Sequence, residues 1–317
     1  MKKRKLKKSA KYGLIAVILF IFLIIFLVKF VNYRNSNEYK LKEKGYSKEE
    51  IKEILSLDDN KKNKILEMDY NENILNFVKE KYFLLKNLDR YLKLYSECNC
   101  RPDKVVSLVN VNADYEQYDK NIIKETDTSK GILMLVNKYN YLTENYEPEV
   151  SKISVMYAYD DNELTSEALN AYKNMWYAAN KENLTLIASS SYRTYDSQKK
   201  LWESRAMIDK KAADLSTARA GYSEHQTGYV IDILTYNATL ANFEESDEFK
   251  WLNENSYKYG FILRYPKDKT DITGYEYESW HYRYVGIEAA TKIHNENITF
   301  DEYYAYYIEG EQWKNLF

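Results

Sequence analysis

The chain has 317 residues, 45% of them hydrophobic and 30% charged, which suits one sizeable globular domain with accessory segments and excludes a disordered protein. Lys and Arg number 46 against 48 Asp and Glu, a formal net charge of -2, so no overall basic field draws the chain to nucleic acid. Cys98 and Cys100, separated by Asn99, are the only cysteines; they are too few for a disulfide framework and are expected to be an incidental pair.

In chain order, residues 1–12 form a basic tail containing Lys2, Lys3, Arg4, Lys5, Lys7, Lys8 and Lys11. Residues 13–28 carry no charge, and Lys29, Phe30 and Val31 extend the run to the length that crosses ~30 Å of hydrocarbon as a helix. The excess of positive charge before the run places the N-terminus in the cytoplasm and the rest of the chain outside. No small-residue cleavage site follows Val31, so residues 13–31 are predicted to be a transmembrane signal anchor rather than a removed leader.

Residues 32–104 are predicted to be a helical spacer. Ser47 and Glu50 have the spacing of a capping box, and Ile51, Ile54 and Leu55 form an apolar stripe behind it. Ile65, Leu66, Ile74, Leu75, Phe77 and Val78 suggest further short helices. From about residue 105 to 317 the pattern changes. Strand-like runs at 132–136, 184–189, 229–234 and 261–263 alternate with helical stretches at 166–180, 197–213 and 248–259, the last followed by Gly260 in the position that ends a helix. Asp196 is the expected cap of the middle helix, whose one face carries Gln198, Trp202 and Arg205. A mixed α+β domain is predicted.

Two of the three histidines stand in informative surroundings. His225 lies in Ser223-Glu224-His225-Gln226-Thr227-Gly228, before a strand that delivers Asp232. His281 ends Glu278-Ser279-Trp280-His281. An imidazole, a carboxylate and a second imidazole leave the fourth position of a tetrahedral zinc open, as a catalytic site requires, with Glu278 as the acid-base. Side chains three apart point to opposite faces of a regular strand, so an irregularity is expected at Ser279 or Trp280. Arg193 at a strand-to-helix junction suits bidentate capture of a terminal carboxylate. His294 lies outside every motif and is expected to be a surface or partly buried residue of a helix.

The ordered set S-x-Y-R-x-x-x-x-Q at 190–198, S-x-H-x-x-G-x-x-x-D at 223–232 and E-x-W-H-x-R at 278–283 resembles the VanY-type D-alanyl-D-alanine carboxypeptidases and their L,D-carboxypeptidase relatives. The resemblance covers roughly residues 105–317. It implies the fold that these enzymes share with D,D-dipeptidases and hedgehog, here a small antiparallel sheet flanked by helices. It also implies zinc held by His225, Asp232 and His281, catalysis by Glu278, and binding of the substrate carboxylate by Arg193 with Ser223. Gln198 and Trp280 would be further substrate contacts. The family commonly has Pro where Ser279 stands and a smaller residue where Val230 stands; these departures touch loop rigidity and pocket shape, not a ligand or the base.

The function implied is removal of the C-terminal D-alanine from peptidoglycan stem peptides outside the cytoplasmic membrane, with Glu278 acting on a water at the open zinc position. Rival readings are a D,D-dipeptidase or a peptidoglycan endopeptidase on the same fold, and a wall-binding module without turnover. The intact Glu278 speaks against the last.

Overall fold

The computed structural model describes residues 8–309. Lys2, Lys3, Arg4, Lys5 and Lys7 of the basic tail, and positions 310–317 at the end of the expected catalytic domain, lie outside them. The chain forms two compact units that divide between Ser96 and Glu97.

The first unit begins with the helix Lys8–Arg34. Its apolar side chains are uncovered, Phe22 for instance 65% exposed, and the stretch Lys11–Arg34 is long and apolar enough to cross a membrane. Short helices follow at Asn37–Lys44, Lys48–Ser56, Asp59–Glu67, Ile74–Val78 and Leu88–Glu97. Ser47 and Glu50 form the predicted capping box. Ile51, Ile54, Ile65, Ile74, Leu75 and Val78 pack with Leu41 and Tyr46 into a core of their own. Leu55, placed on the apolar stripe by its spacing, is exposed.

The second unit is built on a four-stranded sheet. Its strands are β1 (Ile187–Ser190), β2 (Val230–Leu234), β3 (Phe261–Leu263) and β4 (His281–Tyr284), in the spatial order β1-β2-β4-β3. All three pairings are antiparallel. Ile231 and Ile233 alternate with Val230, Asp232 and Leu234 along β2, and the two isoleucines pack into a core with Leu169, Tyr172 and Met175 of the helix Ser166–Lys181. Tyr282 and Tyr284 of β4 join that core. The period of two therefore sends His281 and Arg283 to the face that also receives Asp232.

Several predicted elements are corrected. Residues 132–136 do not form a strand: a turn of 3₁₀ helix at Thr128–Leu133 contains Gly131 at φ 56°, and the carbonyls of Ile132 and Met134 accept hydrogen bonds from the Arg283 guanidinium. Side chains thus occupy acceptors that a sheet neighbour would need. The expected helix 197–213 is two helices, Tyr195–Ala206 and Lys210–Ser216, because the Asp209 carboxylate accepts from the Lys211 and Ala212 amides and starts a new helix there. Thr194, not Asp196, caps the first of them by accepting from the Ser197 amide. Helix Asp247–Asn255 ends in a 3₁₀ turn, Ser256–Tyr259, closed by Gly260 in the left-handed region. Cys98 and Cys100 are joined by a disulfide, where an incidental pair was expected. His294 is an exposed residue of helix Ile287–Glu296 and stacks on Tyr257.

Candidate active site

The sheet register sets the centre of the site. Asp232 is paired with Ser190 across β1 and with His281 across β4, and directly opposed residues on one face hold their side chains in contact range. Beside the sheet, the 3₁₀ turn Glu224–Thr227 carries His225 and ends on Gly228 at φ 71°. An added Cβ at Gly228 would stand 3.0 Å from Thr165 and 3.1 Å from Val150, so both the backbone angle and the close packing ask for glycine. The Arg193 amide donates to the His225 carbonyl, which ties the junction after β1 to this turn.

His225, Asp232 and His281 are buried and offer ligand atoms that all lie within 4.8 Å of one another. The hydrogen bonds assign the nitrogens. His225 Nδ1 lies 2.6 Å from the Ser191 carbonyl and must donate to it, leaving the Nε2 lone pair on the side of Asp232, 3.6 Å away. His281 presents Nδ1, 3.3 Å from Asp232 Oδ1 and 3.2 Å from Glu278 Oε2. Burial pulls His225 down to about 3 and the Arg193 charge adds to it, so the ring is a neutral donor. At His281 burial also acts downward, but Asp232, Glu224 and Glu278 reverse it and hold the pKa well above the ordinary value. Such a ring of carboxylates calls for positive charge. Asp232 Oδ1 is buried without a hydrogen-bond partner, and two imidazole nitrogens with a carboxylate oxygen are a donor set that zinc takes. The residues present therefore fit a divalent cation.

Glu278 is not part of β4. The chain turns at Ser279 and Trp280 before the strand begins, so the expected irregularity is this turn, and the Trp280 carbonyl accepts from the Ile233 amide. Burial raises the Glu278 pKa above the usual carboxylate value, against the pull of His281. A raised carboxyl pKa favours a group that can both take up and give back a proton.

All the residues singled out from the sequence line one cleft of about 570 Å³: Arg193, Gln198, Ser223 and Trp280 along with His225, Asp232, Glu278 and His281. Arg193 donates through Nη1 to Gln198 Oε1 at 2.8 Å and through Nη2 to Ser190 Oγ at 2.8 Å. Gln198 also donates to the Ala218 carbonyl. Gln198 thus holds Arg193 in place while lining the cleft itself. Arg205, placed by helical spacing on the face of Gln198, lines the cleft as well; so do Tyr265, Tyr275 and Glu276, which no spacing rule connects to the motifs. Glu224 was read only as part of a motif; burial pushes its pKa up, but Arg264 and Arg283 outweigh that and hold it at about 2. A second cavity of about 560 Å³ contains Lys138, Asp214 and Arg219. There Arg219 forks onto Asp214, and Lys138 donates to Gln117 and to the Asp214 carbonyl.

The family model for the D-alanyl-D-alanine carboxypeptidase VanY matches residues 161–287, which include every residue discussed in the cleft. The chain is 35% identical over 192 residues to a D-alanyl-D-alanine carboxypeptidase of Enterococcus faecalis, an overlap of 57% of this chain and 68% of that one. The chain belongs to the VanY family of carboxypeptidases. It is also 41% identical over 203 residues to YodJ of Bacillus subtilis, covering 58% of this chain and 73% of the relative. Among solved structures, the LD-carboxypeptidase LdcB superposes with a TM-score of 0.56 at 38% identity, over 60% of this chain and 94% of that one. The VanY-type fold expected from the motifs, a small sheet among helices, is the fold found.

Proposed function

We propose that this protein is a zinc carboxypeptidase that removes the C-terminal D-alanine from peptidoglycan stem peptides. His225 Nε2, Asp232 and His281 Nδ1 would hold the zinc. When bound, the metal supplies Lewis acidity, acidifying water and steadying negative charge on the attacked carbonyl. Glu278 accepts a proton from the attacking water and passes it to the departing amine, a task suited to its raised pKa. Arg193, fixed by Gln198 and Ser190, receives the terminal carboxylate through its remaining donors, with Ser223 beside it. Because the fork is already held, little side-chain entropy is lost when the anion arrives.

The observation that carries this reading is the meeting of three features in one cleft: a clustered His-Asp-His set, a buried carboxyl 3.2 Å from His281, and a pre-oriented arginine. A non-catalytic wall-binding module would have no use for the carboxyl. Residues 13–31 would anchor the chain in the cytoplasmic membrane with the basic tail inside, residues 32–104 would act as spacer, and 105–317 would work on the wall outside. Whether the bond cut is D-Ala-D-Ala or the L,D bond of a tetrapeptide is a matter of what precedes the terminal D-alanine, since both expose the same carboxylate to Arg193.

The test is incubation with defined pentapeptide and tetrapeptide muropeptides, with and without chelator, and identification of the products by mass. Loss of a single alanine, abolished by chelation, is expected. Release of the dipeptide D-Ala-D-Ala, or cleavage of cross-linked dimers alone, would replace this reading with the dipeptidase or endopeptidase one.

A further inference from the structure

Glu224 does no chemistry in the reading above, yet it is fully buried and points at His281. Its Oε1 accepts from Arg264 Nε at 2.9 Å and lies 3.6 Å from Arg283 Nη1. Arg264 is itself gripped by Asp301, with contacts of 2.6 and 3.2 Å. One carboxylate oxygen is thus pinned. The other, Oε2, is buried with no hydrogen-bond partner, as is Nε2 of His281, and the two orphaned atoms are 3.9 Å apart. That gap exceeds a normal N–H···O distance by about 1 Å, which a small tilt of the ring closes.

We propose that Glu224 is the positioning residue for His281, accepting its Nε2–H and so holding Nδ1 toward Asp232 and Glu278. The proposal rests on the reading of His225, Asp232 and His281 as the metal site. The two ring nitrogens of His281 then have separate duties, one toward the ligand cluster and one toward Glu224. A protonated Nε2 leaves the Nδ1 lone pair free, and a carboxylate on the far nitrogen raises the basicity of the ligating one. The same short turn, Glu224–Thr227, carries His225 and the support of His281, so a single turn orients both imidazoles. Arg264 and Arg283 keep the Glu224 carboxylate charged while it does so.

The test is zinc affinity of the full chain, purified in a mild detergent and measured by competition with a chromophoric chelator. Glu224→Gln is expected to weaken zinc binding by about 10- to 100-fold and to change the visible spectrum of the cobalt-loaded protein. Asp301→Asn disturbs the same buried charge group without reaching His281, and it should bind zinc within a few-fold of wild type. Zinc affinity of Glu224→Gln equal to wild type, or an equal loss in Asp301→Asn, overturns the proposal. Should Glu224→Gln fail to fold, Glu224→Asp serves: it keeps the charge on Arg264, shortens the reach to His281, and should show the same weakening. His225→Ala separates the two layers of the argument. If it leaves zinc bound as in wild type, the metal-site reading itself is wrong; if it abolishes binding while Glu224→Gln does nothing, only the role of Glu224 falls.

Discussion

In the proposed reaction Glu278 and Arg193 would divide the work between proton transfer and recognition of the chain end, and each can be probed alone. Glu278→Gln keeps the size of the side chain and much of its hydrogen bonding but cannot take a proton. Turnover should fall by about 10²- to 10⁴-fold while metal analysis still finds zinc. Turnover near wild type in that variant, with zinc intact, would refute the assignment. Arg193→Ala removes a charge-assisted contact in a half-buried pocket, a loss of about 2–5 kcal/mol, and kcat/KM for peptides with a free C-terminus should fall at least about 30-fold. Wild type should already be slow on C-terminally amidated peptides. Equal cleavage of amidated and free peptides would show that no carboxylate is being read.

Single elements hold these residues in place, and two are sensitive to one atom or one hydrogen bond. Gly228 closes the turn that carries His225 at a φ of 71°, with Thr165 and Val150 packed against it. Gly228→Ala forces a side chain into both a strained angle and a filled space, and we expect about 1–3 kcal/mol of lost stability. Chemical denaturation checks this, and a midpoint unchanged from wild type would contradict the packing account. The break between Tyr195–Ala206 and Lys210–Ser216 depends on Asp209, whose carboxylate takes two amide protons. The second of these helices leads into Thr217 and Ala218 of the cleft wall, where Arg205 and Gln198 add their hydrogen bonds to the order that the cap begins.

At the scale of the whole molecule, a fully buried group of charges joins the C-terminal helix Phe300–Tyr303 to the sheet. Arg264 and Arg283 are 0% exposed, and Glu224 and Asp301 balance them. Asp301→Ala would leave Arg264 partly uncompensated in the interior, and a loss of about 3–5 kcal/mol is expected in denaturant unfolding. A loss under 1 kcal/mol would mean that water reaches the arginine. In the first unit, the apolar helix Lys8–Arg34 would, as the proposed anchor, set the partitioning of the protein. The full chain should sediment with membranes and resist alkaline extraction, and a chain starting at residue 35 should not.

The sequence by itself determined the parts that depend on residue type and short-range order. Local spacing fixed the capping box at Ser47, the alternating β2 strand that brings Asp232, and the glycine after the His225 turn. The ordered His, Asp, Glu and His of the motifs pointed to the family and the reaction class. Tertiary structure decided what depends on residues far apart in the chain. Residues 132–136 read as a strand by their apolar run, but Arg283, some 150 residues later, takes their carbonyls. Gln198 holds Arg193 and is itself held by the Ala218 carbonyl, the second a partnership 20 residues away that no local spacing announces. Glu224 had no legible role, since its meaning comes from Arg264, Arg283 and Asp301, which no periodicity links to it. Hydrophobic patterning encodes which face of an element is buried, whereas the partner of a buried charge is set by where distant elements meet.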